Sequence, residues 1–255
     1  MRYEPLLQTI ADRYSEILGN NLVGVYIHGS IAFQCFNWDE SDIDFIVVVS
    51  HEISRQNKLD LLGVLDELRD QAPAKGLEMS IVQQRFCQHF EYPTPYELHF
   101  SNAFLDQYSE NPMTLCTSEL KADHDLAAHF TVIKHTGIVL CGQSISMVFG
   151  DIPKKDYIDS ICLDIQNSKQ DVLDDPARVV LNLCRVYAYL KDSLTLSKEQ
   201  GGQWGLRHLP DQYANIITES IDHYSSSKPF RVSDELKIEF CDHMLKEITL
   251  FALVS

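Results

Sequence analysis

Residues 22–49 read LVGVYIHGSIAFQCFNWDESDIDFIVVV: two short apolar runs rich in β-branched residues, a glycine-serine step closing the first and an aspartate pair opening the second. The runs 22–28 and 43–49 predict strands, and the second is continuous enough to be a central strand covered on both faces. Side chains alternate along a strand, so Asp42 and Asp44 project from one face. Gly29 lets the backbone come close to a phosphate, and Ser30 offers an N–H and a hydroxyl to phosphate oxygens. Two carboxylates on one face can share hard divalent cations with a triphosphate, since Mg²⁺ prefers oxygen ligands.

Upstream, Leu6, Leu7, Ile10, Tyr14, Ile17 and Leu18 fall at helical spacing over 5–18, and Gly19-Asn20-Asn21 stops the helix. Downstream, Leu59, Leu62, Leu65 and Leu68 predict a helix over 55–71, and LEMSIV at 77–82 predicts a third strand after Ala72-Pro73. In that strand Leu77, Met79 and Ile81 point one way and Glu78, Ser80 and Val82 the other. If the strands pair, Glu78 joins the face of Asp42 and Asp44, where a two-metal site needs a further ligand or base. Tyr92-Pro93-Thr94-Pro95 marks a loop, and 96–120 has too weak a period to assign.

From 124 onward the pattern is helical, over 124–140, 155–173, 177–195, 211–224 and 233–252. The third of these opens with Asp174-Asp175-Pro176, an N-cap followed by proline at the first helical position. The expected architecture is α/β followed by all-α, with a mixed sheet and helices over 1–120 and a helical bundle over 121–255.

The chain has 255 residues, 45% hydrophobic and 23% charged, which suits a globular protein of two domains. Its net charge of −16 disfavours a nucleic-acid partner, because that affinity rests on clustered Lys and Arg. The same balance would draw a polycationic small molecule into an acidic cleft, or serve solubility alone. No segment approaches the roughly 20 apolar residues that cross a bilayer, so no membrane partner and a cytoplasmic location are expected. The seven cysteines are scattered with no C-x-x-C, and the ten histidines show no H-x-x-x-H or H-E-x-x-H, so reduced thiols and no zinc are expected.

The combination of Gly29-Ser30 with Asp42-Ile43-Asp44 resembles the signature of the polymerase-β-like nucleotidyltransferase superfamily. The runs GVYIHGSIAFQCF, SDIDFIVVV, LEMSIV, YELHFS, DHDLAAHF, RVVLNLCRVYAYL and LSKEQGGQWGLRHLPDQY further resemble blocks of the aminoglycoside (3″)(9)-adenylyltransferases. The resemblance implies a nucleotidyltransferase domain, a C-terminal helical bundle, and a cleft holding ATP, Mg²⁺ (two ions) and an aminoglycoside or aminocyclitol in a monomer. It places Ser30, Ser41, Asp42 and Asp44 at the nucleotide and metal, and makes Glu78 the base and third metal-group carboxylate. It gives Arg185, Lys198 and Tyr224 to the nucleotide, with Asp123 or Asp125 as a further carboxylate near it. Asp171 and Asp175 would meet the drug's amino groups, unless they only cap a helix, and Phe104 would lie against the acceptor. Neither Phe104 nor the other aromatic position, near Gln166, carries the tryptophan expected of streptomycin-accepting members. Spectinomycin or another hydroxylated acceptor stays open.

Two other readings remain at this stage. One is a related nucleotidyltransferase acting on a protein or a tRNA, against which the net charge and the late helical blocks speak. The other is a non-catalytic nucleotide-binding homologue, against which three carboxylates and a base speak.

Overall fold

The computed structural model describes residues 2–226 and 228–252, the last of these by its backbone alone. Its contacts divide the chain into two compact units, Met1–Ile152 and Pro153–Ser255. In the first unit, helix α1 (Glu4–Leu18) leads into strand β1 (Leu22–Ile27), the short helical turn α2 (Gly29–Ala32) and strand β2 (Ile43–Val49). There follow α3 (Arg55–Leu68), β3 (Leu77–Gln83), the short α4 (Gln84–Gln88), β4 (Thr94–Tyr96), β5 (Leu98–Phe100) and α5 (Leu105–Glu110). The unit closes with β6 (Lys121–Asp123), α6 (Leu126–Thr136), β7 (Ile138–Gly142) and α7 (Ile145–Val148).

The main sheet has the order β5-β3-β2-β1-β7, and β4 pairs with β6 separately. Strand β2 runs antiparallel to β1 and parallel to β3. The continuous apolar run of β2 is explained by cover on both faces. Ile43, Phe45, Val47 and Val49 face Ile10, Tyr14, Leu61 and Leu65 of α1 and α3. Ile46 and Val48 join Leu126, Phe130 and Ile133 of α6 on the other side. Each such fully buried side chain is worth about 1.5–3 kcal/mol.

A buried ion pair crosses this unit. Lys58 of α3 reaches Glu97 at 2.8 Å, both side chains 1% exposed, and donates to the carbonyl of Thr117 at 2.9 Å. The side chain of Gln83 donates to the other oxygen of Glu97.

The second unit contains α8 (Lys154–Asp164), α9 (Ser168–Asp171), α10 (Pro176–Asp192), α11 (Lys198–His208), α12 (Ala214–Ser226) and α13 (Asp234–Ala252). Helix α10 starts as the sequence reads: Asp175 accepts from the backbone N–H of Arg178, and Pro176 follows in the first turn. Two expectations are corrected. The helix expected over 124–140 ends at Thr136, and residues 138–142 instead form edge strand β7 beside β1. Helix α6 and β7 belong to the first contact unit, which ends at Ile152. The helix expected over 155–173 is interrupted between Asp164 and Ser168. No helix among the described residues is long and apolar enough to cross a membrane.

Candidate active site

In the parallel register of β2 and β3, Asp44 stands opposite Glu78, so the two carboxylates leave the sheet side by side. Asp42, just before β2, completes a group in which one oxygen from each residue lies within 4.8 Å of the others. The chain reaches this group from β1 through His28, whose N–H donates to the carbonyl of Asp44 at 3.1 Å. Gly29 then turns with φ of 59°, so close that a Cβ would sit 1.8 Å from Asp44 Oδ2. Only glycine allows this approach. The next hydroxyl, Ser30 Oγ, is buried and makes no hydrogen bond among the described residues.

Three half-exposed carboxylates held together repel one another unless a cation intervenes. They are hard oxygen donors of the kind Mg²⁺ takes. An orphaned hydroxyl and a backbone bend beside them suit a ligand rich in anionic oxygens. The residues therefore fit a divalent cation with a phosphate group. Ser41 lies in the same loop but is buried, and its hydroxyl accepts from the N–H of Asn37 at 3.2 Å, closing the 37–41 turn.

The sequence reading missed the histidines around Glu78. His129 of α6 brings Nε2 to 3.8 Å from Glu78 Oε1. Its ring lies against that of His28, centroids 4.6 Å apart and tilted by 36°. His99 of β5 pairs with Ser80 Oγ at 2.8 Å, two residues along β3 from Glu78. Burial, with His129 adding to it, holds the His28 imidazole well below its ordinary value. Burial lowers His99 as well, with Asp123 opposing and His129 reinforcing the shift. The available signal was positional: His28 directly precedes Gly29, and Ser80 shares the face of Glu78.

Asp123 ends β6 half-buried, and its carboxylate accepts from the N–H of Asp125 at 2.9 Å. Asp125 is exposed at the start of α6, so of the two it is Asp123 that acts on the neighbouring Tyr96 and His99. Phe104 packs partly into the core of the first unit and sets its ring edge-on to His99 at 5.5 Å.

In the second unit Arg185 already holds an anion. Its guanidinium meets Asp164 at 3.0 Å and the side chain of Asn182, which itself donates to Asp164 at 2.7 Å. Burial would raise the Asp164 carboxyl, but Arg185, the Asn182 hydrogen bond and Lys198 together hold it below the ordinary value. Lys198 is the first residue of α11, behind the Ser197 capping box, with Nζ 6.0 Å from the centre of the nearly buried Tyr224 ring. Asp171 and Asp175 both engage Arg178, at 3.0 and 2.9 Å, so the acids expected to meet a drug already share an internal guanidinium.

Residues 147–247 match the family described as "Aminoglycoside adenylyltransferase, C-terminal domain". The chain is 24% identical to an aminoglycoside (3″)(9)-adenylyltransferase of Escherichia coli, over 96% of this chain and 97% of that protein. It is 21% identical to a spectinomycin 9-adenylyltransferase of Staphylococcus aureus, over 79% of this chain and 77% of that protein. A crystal structure of an Enterococcus spectinomycin adenylyltransferase with ATP and spectinomycin shares the fold, with a TM-score of 0.80 at 18% identity, covering 96% of this chain and 98% of that one. Signature, carboxylate geometry and similarity along nearly the whole length agree in likening the chain to the aminoglycoside (3″)(9)- and spectinomycin adenylyltransferases.

Proposed function

We propose that the protein transfers AMP from ATP to a hydroxyl of an aminocyclitol or aminoglycoside antibiotic, with spectinomycin the first acceptor to test, and so confers resistance. The observation that carries this reading is the Asp42, Asp44 and Glu78 group beside the Gly29 bend. Asp42, Asp44 and Glu78 would hold Mg²⁺, which when bound supplies positive charge to the phosphates.

The Gly29-Ser30 segment binds phosphate oxygens through backbone N–H groups and the orphaned Ser30 hydroxyl. Glu78 accepts the proton of the acceptor hydroxyl, whose oxygen then forms a bond to the α-phosphorus as the bond to pyrophosphate breaks. Arg185 and Lys198 supply cationic charge to the triphosphate and the departing pyrophosphate. Positioning and electrostatics supply most of the acceleration in such transfers. Asp123 is favoured over Asp125 for a place near the reaction, since it is the half-buried one.

The test is to incubate the purified chain with ATP, Mg²⁺ and a panel of aminocyclitols and aminoglycosides, and to look by mass spectrometry for an added AMP. Adenylylated spectinomycin is the expected product. ATP consumption with no modified acceptor across the panel would refute the reading.

A further inference from the structure

Beside Glu78 stands a histidine, His129, whose Nε2 lies 3.8 Å from Glu78 Oε1. His129 Nδ1 is buried and makes no hydrogen bond among the described residues. A bare lone pair in that place is tolerable, whereas a bare N–H would forfeit a donor's hydrogen bond. The tautomer this environment favours therefore carries its proton on Nε2, the nitrogen 3.8 Å from Glu78 Oε1. That separation is beyond a hydrogen bond, and a closure of about 1 Å makes it one.

Two contacts keep the ring where it is. Leu126, Phe130 and Ile133 anchor α6 in the core on either side of it. The buried ring of His28 lies against its face, and His28 leads into the Gly29-Ser30 bend. An apolar residue could fill position 129 without leaving a buried nitrogen unsatisfied, so packing alone does not explain the imidazole.

We propose that His129 is a positioning residue for Glu78: its Nε2–H fixes the orientation of the Glu78 carboxylate while His28 fixes the ring. This deepens the reading of Glu78 as the base and rests on it. A carboxylate aligned on the acceptor hydroxyl needs its rotation restricted, and a misplacement of about 1 Å at such a centre costs on the order of 10²-fold in rate.

Two readouts on the full chain decide it. The first is the ¹⁵N spectrum of the histidine rings without nucleotide, in which His129 should carry its proton on Nε2 and its Nε2 signal should move in Glu78→Gln. The second is steady-state kinetics with Mg²⁺–ATP and spectinomycin. His129→Leu should lose roughly 10–100-fold in kcat with little change in the KM for ATP. His129→Gln, which can return a donor near the Nε2 position, should recover most of that loss. In the Glu78→Gln background His129→Leu should cost little more, since the two act as one unit. A proton on Nδ1, an unchanged kcat in His129→Leu, or equal losses of kcat and melting temperature in the Leu and Gln variants would each overturn the proposal. A wild-type protein that adenylylates nothing would sink the functional reading instead, and the ring spectrum would still decide the contact.

Discussion

Replacing Gly29 by alanine tests the site at its tightest point. Two separate costs are expected. With φ of 59° the backbone is left-handed, where an L side chain costs roughly 1–2 kcal/mol. At about 2–4 °C per kcal/mol for a chain of this size, the melting temperature should fall by roughly 2–8 °C. The second cost is to geometry: the new Cβ would lie 1.8 Å from Asp44 Oδ2, where ordinary contact begins at 3.4 Å, so the carboxylate has to retreat by about 1.6 Å. A shift of that size should lower kcat by on the order of 10²-fold or more. Pyrophosphate release with spectinomycin, measured beside a thermal melt, reads both. Gly19→Ala is the control, since Gly19 has φ of 51° but nothing within 4 Å of its would-be Cβ. It should melt lower and keep its turnover. Near wild-type turnover in Gly29→Ala would refute the claim that this bend fixes the Asp44 carboxylate.

Glu78→Gln keeps shape and removes the proton acceptor, so turnover should fall by roughly 10²–10⁴-fold while calorimetry still detects Mg²⁺–ATP binding; lost nucleotide binding would make Glu78 chiefly a metal ligand. Asp175→Ala removes a helix cap and a partner of Arg178, and should destabilise by about 1 kcal/mol in a thermal melt. A raised KM for the antibiotic with an unchanged melt would return Asp175 to the acceptor. His28 and His99 take a proton less readily folded than unfolded, so the stability they contribute is complete above their ordinary value of 6.5 and drains as pH falls below it. Each ring can contribute a slope of up to about 1.4 kcal/mol per pH unit; melts from pH 8 to 5 on wild type and His99→Gln, with no difference in slope, would contradict this.

The paired strands and their carboxylates were legible because a two-residue period is unambiguous where one face is apolar: Leu77, Met79 and Ile81 enter one core and leave Glu78 on the other side. Strand β7 was not, because an edge strand is covered less and Ile138-Val139-Leu140 simply prolongs the helical pattern of α6. The break at Gly137 was the signal. The burial of Lys58 was hidden for a different reason, since a lysine within an amphipathic helix reads as solvent-facing until its partner, 39 positions away at Glu97, is known. The pairing of Asp175 with Arg178 could have been read, since an N-cap carboxylate lies beside the residue three places on, whereas Asp171 ends α9 and reaches Arg178 across the turn at 172–175. Where Arg185 and Lys198 turn depends on tertiary neighbours such as Asp164, which carry no local pattern.

The ion pair of Lys58 and Glu97 constrains how this sequence can change. Losing either partner alone strands a charge in a dry interior and costs about 3–5 kcal/mol, a large part of the roughly 5–15 kcal/mol that holds a domain folded. Losing both together, to apolar residues of similar volume, can cost nothing or even stabilise. The states with and without the pair are thus both habitable, yet every single-step route between them crosses a poorly folded protein. Drift alone would leave the pair frozen for as long as stability is scarce, and a stabilising change elsewhere in the chain would open the route.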